Sequence, residues 1–360
     1  MDELTLLRKV REDVAEPTPE ALGRGRTALL EHVATPTRSQ RRRGIRIAGL
    51  SALGAGAVVT ALVLTNVLGF AGWRGGADGA AAEALHAAAL ATIKTVDPIV
   101  APGQYLLVHT TAVHGATIGA EDGSTTSLLF IGDDDLYIPA DRDDDWIWER
   151  QPSKPYKTFG PDSEAVAKDW KDERVGDSTE LLQAKAGAFY GGAPSGSFGD
   201  LSALPRDPTQ LLNYIYRSTL GQGPSPDGEA LVFIADRLRL GIVQADLRAA
   251  FYEAAARIPG VEITEQEATL DGRTGVAFGR DEGGIFRQEI IIDPVTGQFI
   301  GERTVLLIAQ DEMPAGTTNG WSAVTTSVVD SAPQGGTPNG IFDVMGCISD
   351  GKGGAQCPTN

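Results

Sequence analysis

Two cysteines, four histidines and two runs of aspartate are the residues of this chain whose types and spacing could do chemistry. Cys347 and Cys357 are the only cysteines. Two thiols alone do not complete a tetrahedral zinc site, so a metal pair is the weaker reading of them. In an oxidising compartment a disulfide is the expectation, and closing so short a loop would contribute roughly 2–3 kcal/mol in chain-entropy terms. His109 and His114 lie five residues apart on one expected strand. Period-two alternation puts them on opposite faces, so they cannot share a metal from that strand. His86 reads as a bystander on a helix. Asp133 to Asp135 and Asp141 to Asp145 offer carboxylates to a calcium ion. Neither follows the EF-hand spacing, and a solvated acidic hairpin is the plainer reading. Gly346 to Lys352 matches Gly-x-x-x-x-Gly-Lys, but Gly353 stands where Ser or Thr is needed and no strand and helix frame it. No Gly-x-Ser-x-Gly elbow occurs. These residues assemble no nucleophilic, acid–base or metal constellation and no cofactor motif. A non-enzymatic protein is expected, with a hydrolase as the disfavoured alternative.

The elements that would position these residues start from an uncharged run, Ile47 to Phe70. As a helix its 24 residues span roughly 36 Å, enough to cross a hydrocarbon core of roughly 30 Å. Arg38, Arg41, Arg42, Arg43 and Arg46 crowd its N-terminal side, whereas Arg74 alone precedes Asp78 on the other. The positive-inside bias predicts an uncleaved signal anchor in the plasma membrane, with residues 1–46 cytoplasmic and 71–360 outside. A cleaved signal peptide has a shorter leader and a shorter apolar run.

Charge divides along the same line. The chain carries a net charge of -17; residues 1–46 hold ten basic and seven acidic residues, the remainder 21 and 41. An acidic exterior argues against nucleic acid, which needs basic patches, and against anionic lipid beyond the juxtamembrane arginines. Residues 71–360 are long enough to bury a full core.

Taken in order, residues 2–34 read as two short amphipathic helices: a loose hairpin, or a bait that folds on a cytoplasmic partner. Residues 35–46 are a Pro/Arg linker. Asp78 caps an expected helix to about Val96, which Asp97-Pro98 stops. Strands are expected over Gln104 to Val113, Thr125 to Ile131, Leu136 to Pro139 and Asp145 to Arg150, with Asp133 to Asp135 as a turn. Trp146 and Trp148, two apart, share one face. Residues 151–162 read as a loop and Ser178 to Ala188 as a helix. Helices follow over Asp207-Pro208 to Thr219, Glu229 to Leu240 and Asp246 to Ile258. A meander then runs through Val261 to Leu270, Thr274 to Gly279, Ile285 to Ile292 and Gln298 to Ala309, with Trp321 to Val329 as a fifth strand. Its turns are Asp271-Gly272, Asp281 to Gly284, and Asp293 to Gly297. Residues 331–360 are a Gly/Pro-rich tail pinned by the cysteine loop.

Several segments together resemble an actinobacterial family of single-pass membrane proteins with no established activity: Met1 to Arg8, Arg41-Arg42-Arg43, Leu204 to Pro208, Leu247 to Tyr252, Ile258 to Val261 and Asp293 to Gly297. Its members look like companions of extracytoplasmic-function sigma factors, which implies an anti-sigma-like or sensing role with a cytoplasmic sigma factor held by residues 1–46. Residues 1–46 hold no cysteine and so depart from the zinc-containing anti-sigma pattern. The exterior is similar, more weakly, to lipoprotein-carrier and sigma-regulator sensor domains, with a half-barrel sheet and covering helices. The expected fold is therefore α+β: a short cytoplasmic helical hairpin (1–46), one transmembrane helix (47–70) in the lipid bilayer, a half-barrel-like antiparallel sheet with covering helices (71–330), and the tail (331–360). The expected function is non-enzymatic binding of an apolar ligand or envelope partner outside, with possible passage of that state inward as one reading and a structural or carrier-like role as the other. Helices on the concave side of a curved sheet either fill it as core or leave an apolar pocket there.

Overall fold

The computed structural model describes residues 75–119, 125–173, 178–191, 201–338, 348–349 and 355–356. Its helices are α1 (Gly79–Ile93), α2 (Pro161–Glu173), α3 (Pro208–Ser218), α4 (Pro226–Leu238) and α5 (Ala245–Ala255). Its strands are β1 (Tyr105–Gly119), β2 (Thr125–Pro139), β3 (Asp145–Arg150), β4 (Lys154–Thr158), β5 (Glu180–Lys185), β6 (Glu262–Leu270), β7 (Arg273–Glu282), β8 (Phe286–Ile292), β9 (Phe299–Leu306), β10 (Thr318–Val329), β11 (Thr337–Pro338), β12 (Ile348–Ser349) and β13 (Ala355–Gln356). One large sheet runs in the order β11-β5-β3-β2-β1-β10-β9-β8-β7-β6, with β4 also pairing β2. Every pairing in it is antiparallel except β11 with β5.

This architecture corrects the expected one. Among the described residues no helix is long and apolar enough to cross a membrane. The most alanine-rich, α1, has 15 residues, roughly 22 Å at about 1.5 Å each, and falls short of a hydrocarbon core of roughly 30 Å. Its Ala81, Leu85, Ala88, Ala89 and Thr92 are buried, and it packs along α5. The expected span 47–70, the hairpin 1–46 and the orienting Arg38, Arg41, Arg42, Arg43 and Arg46 lie outside the described residues. The sheet is mixed because β11 joins β5 in parallel. The disulfide is also not part of the described fold. Cys347 and Cys357 lie outside the described residues, among which no cysteine and no disulfide occurs. The strands described in that segment, β12 and β13, are joined by antiparallel backbone pairing.

The helix starts follow local chemistry. Asp207 Oδ1 accepts the Gln210 amide at 2.8 Å ahead of Pro208, and Ser225 Oγ accepts the Gly228 amide at 2.9 Å ahead of Pro226. Asp78 Oδ1 accepts from Ala80 at 3.3 Å at the start of α1. The main core lies where α1, α3, α4 and α5 meet β7, β8 and β9; Phe251, Tyr252, Ile290, Ile292 and Phe278 are buried there. Burying each such side chain contributes about 1.5–3 kcal/mol. The helices thus fill this side of the sheet as core. A second cluster gathers Leu106, Val108, Ile138, Trp146, Leu182 and Val324 under Ile242 of the α4–α5 loop.

Two local expectations are also corrected. Asp133 to Asp135 are not a turn: β2 runs unbroken through them, in register with β1 from Tyr105 opposite Pro139 to Gly119 opposite Thr125. Residues 178–188 carry a strand, β5, in place of a helix. Trp148 stands opposite Leu182 and Trp146 opposite Ala184, and burial of these alternate side chains outweighs the helix propensity of Glu, Leu, Gln and Ala. The meander appears as expected, and Asp271 and Gly272, at φ 48° and 74°, make its first tight turn.

Candidate functional site: a cationic cleft beside the core

Three segments come together at the end of the sheet where β1 begins and β10 ends. The first is the chain leaving α1, Val96-Asp97-Pro98. The second is the α4–α5 loop. The third is the sheet itself, through Leu106 of β1, Phe299 of β9 and Val324 and Thr326 of β10. They enclose a cleft of about 440 Å³, within the roughly 300–1,000 Å³ of small-molecule sites. Gly241 lets the loop come this close. Its φ is 69°, and a Cβ there would stand 2.7 Å from Val108 Cγ1 and 3.0 Å from Thr326 Cγ2. The floor is apolar: Leu106, Ile242, Val243, Phe299 and Val324 line it and all five are buried.

Its charged groups are mostly cationic. Arg248 projects from α5, a helix whose side chains are otherwise almost all apolar and buried. Its Nε donates to Thr92 Oγ1, Nη1 to the Val243 carbonyl at 2.8 Å, and Nη2 to Thr95 Oγ1 and Asp97 Oδ1, each at 3.4 Å. Asp97 Oδ2 in turn accepts the Ala245 amide at 2.9 Å. The helix position before it, Gln244, gives no side-chain cap, so Asp97 caps α5 from a distant part of the chain. Arg248 and Asp97 therefore satisfy each other and brace the cleft wall.

Two further arginines are less committed. Arg273 opens β7. Its Nη2 donates to the Ile300 carbonyl at 2.9 Å, while its Nε is buried without a hydrogen-bond partner. Burial pulls this guanidinium down from its ordinary value, and the charge of Asp271 partly restores it. Arg142 sits on the β2–β3 turn, whose backbone is tied down where Trp146 Nε1 donates to the Arg142 carbonyl at 3.0 Å. The Arg142 side chain is exposed and makes no ion pair among the described residues.

Of the residues singled out in the sequence, Asp141 to Asp145 surround Arg142 at the edge of the cleft, and the others fall elsewhere. His109 Nδ1 lies 2.6 Å from Asp135 Oδ1, and Thr111 donates to Asp133 at 2.8 Å. Asp134 faces Arg150 at 3.9 Å; burial raises its carboxyl, with Arg150 opposing and Asp133 and Asp135 adding to the rise. The acid run is a row of cross-strand pairs. His114 stacks on Phe130 at 5.8 Å between centroids. His86 is paired with Glu253 of α5. Among the described residues no group of three or more His, Cys, Asp or Glu is placed to hold a metal ion. Gly346 and Lys352 lie outside the described residues. Sequence reasoning missed Asp97, Arg142, Arg248 and Arg273. The one signal was Arg248, a charge set within the apolar run Leu247 to Tyr252.

Comparison with family models and with curated proteins found no match. Among solved structures, a DUF1329 family protein from Desulfovibrio piger aligns over 69% of this chain and 92% of its own, at 8% identity and a TM-score of 0.17. At that score the likeness carries no argument about fold or function.

Proposed function

We propose that the described domain is a non-catalytic binding module that takes the apolar part of a small ligand into the cleft, in the manner of a carrier or sensor. The observation that carries this reading is a cleft of about 440 Å³ over Leu106, Ile242, Val243, Phe299 and Val324, beside a core that is otherwise filled. The cleft lining among the described residues contains no His, Cys, Ser, Lys, Tyr or Glu; its hydroxyls are those of Thr325 and Thr326, and its one carboxylate, Asp97, is occupied by Arg248 and the Ala245 amide. A nucleophile or general base needs a free group within reach of a reacting atom. Binding needs only the concave apolar surface and a few fixed polar groups.

The test uses the full-length protein and the neutral, environment-sensitive dye N-phenyl-1-naphthylamine. Saturable fluorescence enhancement is expected, and it should be lost when bulk is placed at the exposed rim by Gln244→Trp or Gln298→Trp. Both side chains line the cleft and neither is buried. Saturable binding that survives both substitutions would place the apolar site elsewhere, and an absence of saturable binding would end the reading.

A further inference from the structure

The cleft's charge is opposite in sign to that of the chain around it. Across the whole protein acids exceed bases, for a net charge of -17. Three guanidinium groups and a single carboxylate line the cleft. Arg248 and Asp97 cancel one another at 3.4 Å. Arg142 shares its turn with Asp141, Asp143 and Asp144, which leaves Arg273 as the excess. Asp271 acts on Arg273 from outside the cleft lining. Arg273 spends one nitrogen on the Ile300 carbonyl; its Nε is buried and unpaired. A buried unpaired donor is costly and uncommon in a folded protein. Keeping a guanidinium partly unsatisfied beside an apolar floor is the arrangement expected where an anionic group completes it. A guanidinium also offers its donors in a planar fork that suits a carboxylate or phosphate.

We infer that the ligand is an amphipathic anion: a long apolar chain over the floor of Phe299, Ile242 and Val324, ending in one anionic head held by Arg273. This rests on the binding-module reading above and adds the charge and the direction of the ligand. The chain lies along the floor, and the head sits at the β6–β7 turn. Exclusion of bulk water by the apolar walls strengthens the attraction over what exposed arginines would supply.

The experiment compares three probes on the full-length protein: a dansylated undecanoate, the primary amide of the same molecule, and acetate as a chainless competitor. The carboxylate is expected to bind about 10-fold tighter than the amide, the scale of one charge-assisted hydrogen bond. Acetate should not compete at concentrations where the probe saturates. Arg273→Gln should bring carboxylate and amide within about 3-fold of each other while leaving amide binding in place. Arg142→Gln, at an exposed side chain on the other side of the cleft, should leave the preference unchanged. Equal binding of carboxylate and amide by the wild-type protein overturns the anionic head and leaves the apolar cleft standing. Binding of neither probe overturns both readings. A carboxylate preference that survives Arg273→Gln overturns the assignment to this arginine.

Discussion

The Arg248 guanidinium lies 3.4 Å from Asp97, and the other oxygen of that carboxylate takes the first amide of the helix that carries Arg248. One acid thus caps α5 and neutralises the charge that α5 brings to the cleft wall. Asp97→Ala removes both contacts. Loss of a cap costs about 0.5–2 kcal/mol, and the half-exposed ion pair adds little beyond that. Urea unfolding should show a loss of about 1–2 kcal/mol. Asp97→Asn, which retains an acceptor for the Ala245 amide, should recover most of it. Equal losses for Ala and Asn would show that the cap contributes nothing.

Tyr252 and Gly297 hold the other side of α5. The buried Tyr252 hydroxyl donates to the Gly297 carbonyl at 2.9 Å. Tyr252→Phe leaves that carbonyl unpaired and should cost about 1–3 kcal/mol. Gly297 has φ 68°, and a Cβ there would stand 2.4 Å from the Ala88 carbonyl oxygen and 2.6 Å from the Thr92 nitrogen. Gly297→Ala should therefore cost more than about 1 kcal/mol through backbone strain alone, with the collision against α1 added. A neutral Gly297→Ala in thermal unfolding would contradict this packing of the β8–β9 turn on α1.

Glu302 supplies the pH dependence. Burial lifts its carboxyl from 4.5 to about 7; Arg239 pulls it down, Asp236 pushes it further up, and the Gln288 amide stabilises the charged form. Between those values the native state binds the proton and the unfolded chain does not. The contribution is thus fully present below about 4.5 and is lost as pH rises through about 7. Its size is at most about 3 kcal/mol, at about 1.4 kcal/mol per unit. Urea midpoints of the wild type should fall between pH 5 and pH 8, and Glu302→Gln should flatten that slope. Parallel slopes for the two proteins would exclude Glu302 as the source.

Legibility in the sequence followed the range of the interactions. The meander could be read because Asp271-Gly272 and Asp293-Pro294 turn the chain by their own backbone preferences. The α3 and α4 starts could be read because Asp207 and Ser225 cap within three residues. Asp133 to Asp135 misled because three consecutive acids resemble a turn. Their partners His109 and Thr111 lie more than 20 residues away on β1, and Arg150 lies on β3. Residues 180–185 misled because their strand depends on Trp146 and Trp148 across the sheet. The cleft was the least legible feature. Asp97 reaches Ala245 across 148 positions, and no local pattern announces a cap supplied from that distance.

The most direct test is a crystal structure of the full-length protein grown with dodecanoate. Density is expected for the chain over Phe299 and Ile242, with the carboxylate within hydrogen-bonding distance of Arg273. A cleft without dodecanoate in crystals where the molecule is bound elsewhere on the chain, or a chain inserted with its carboxylate turned away from Arg273, would contradict it.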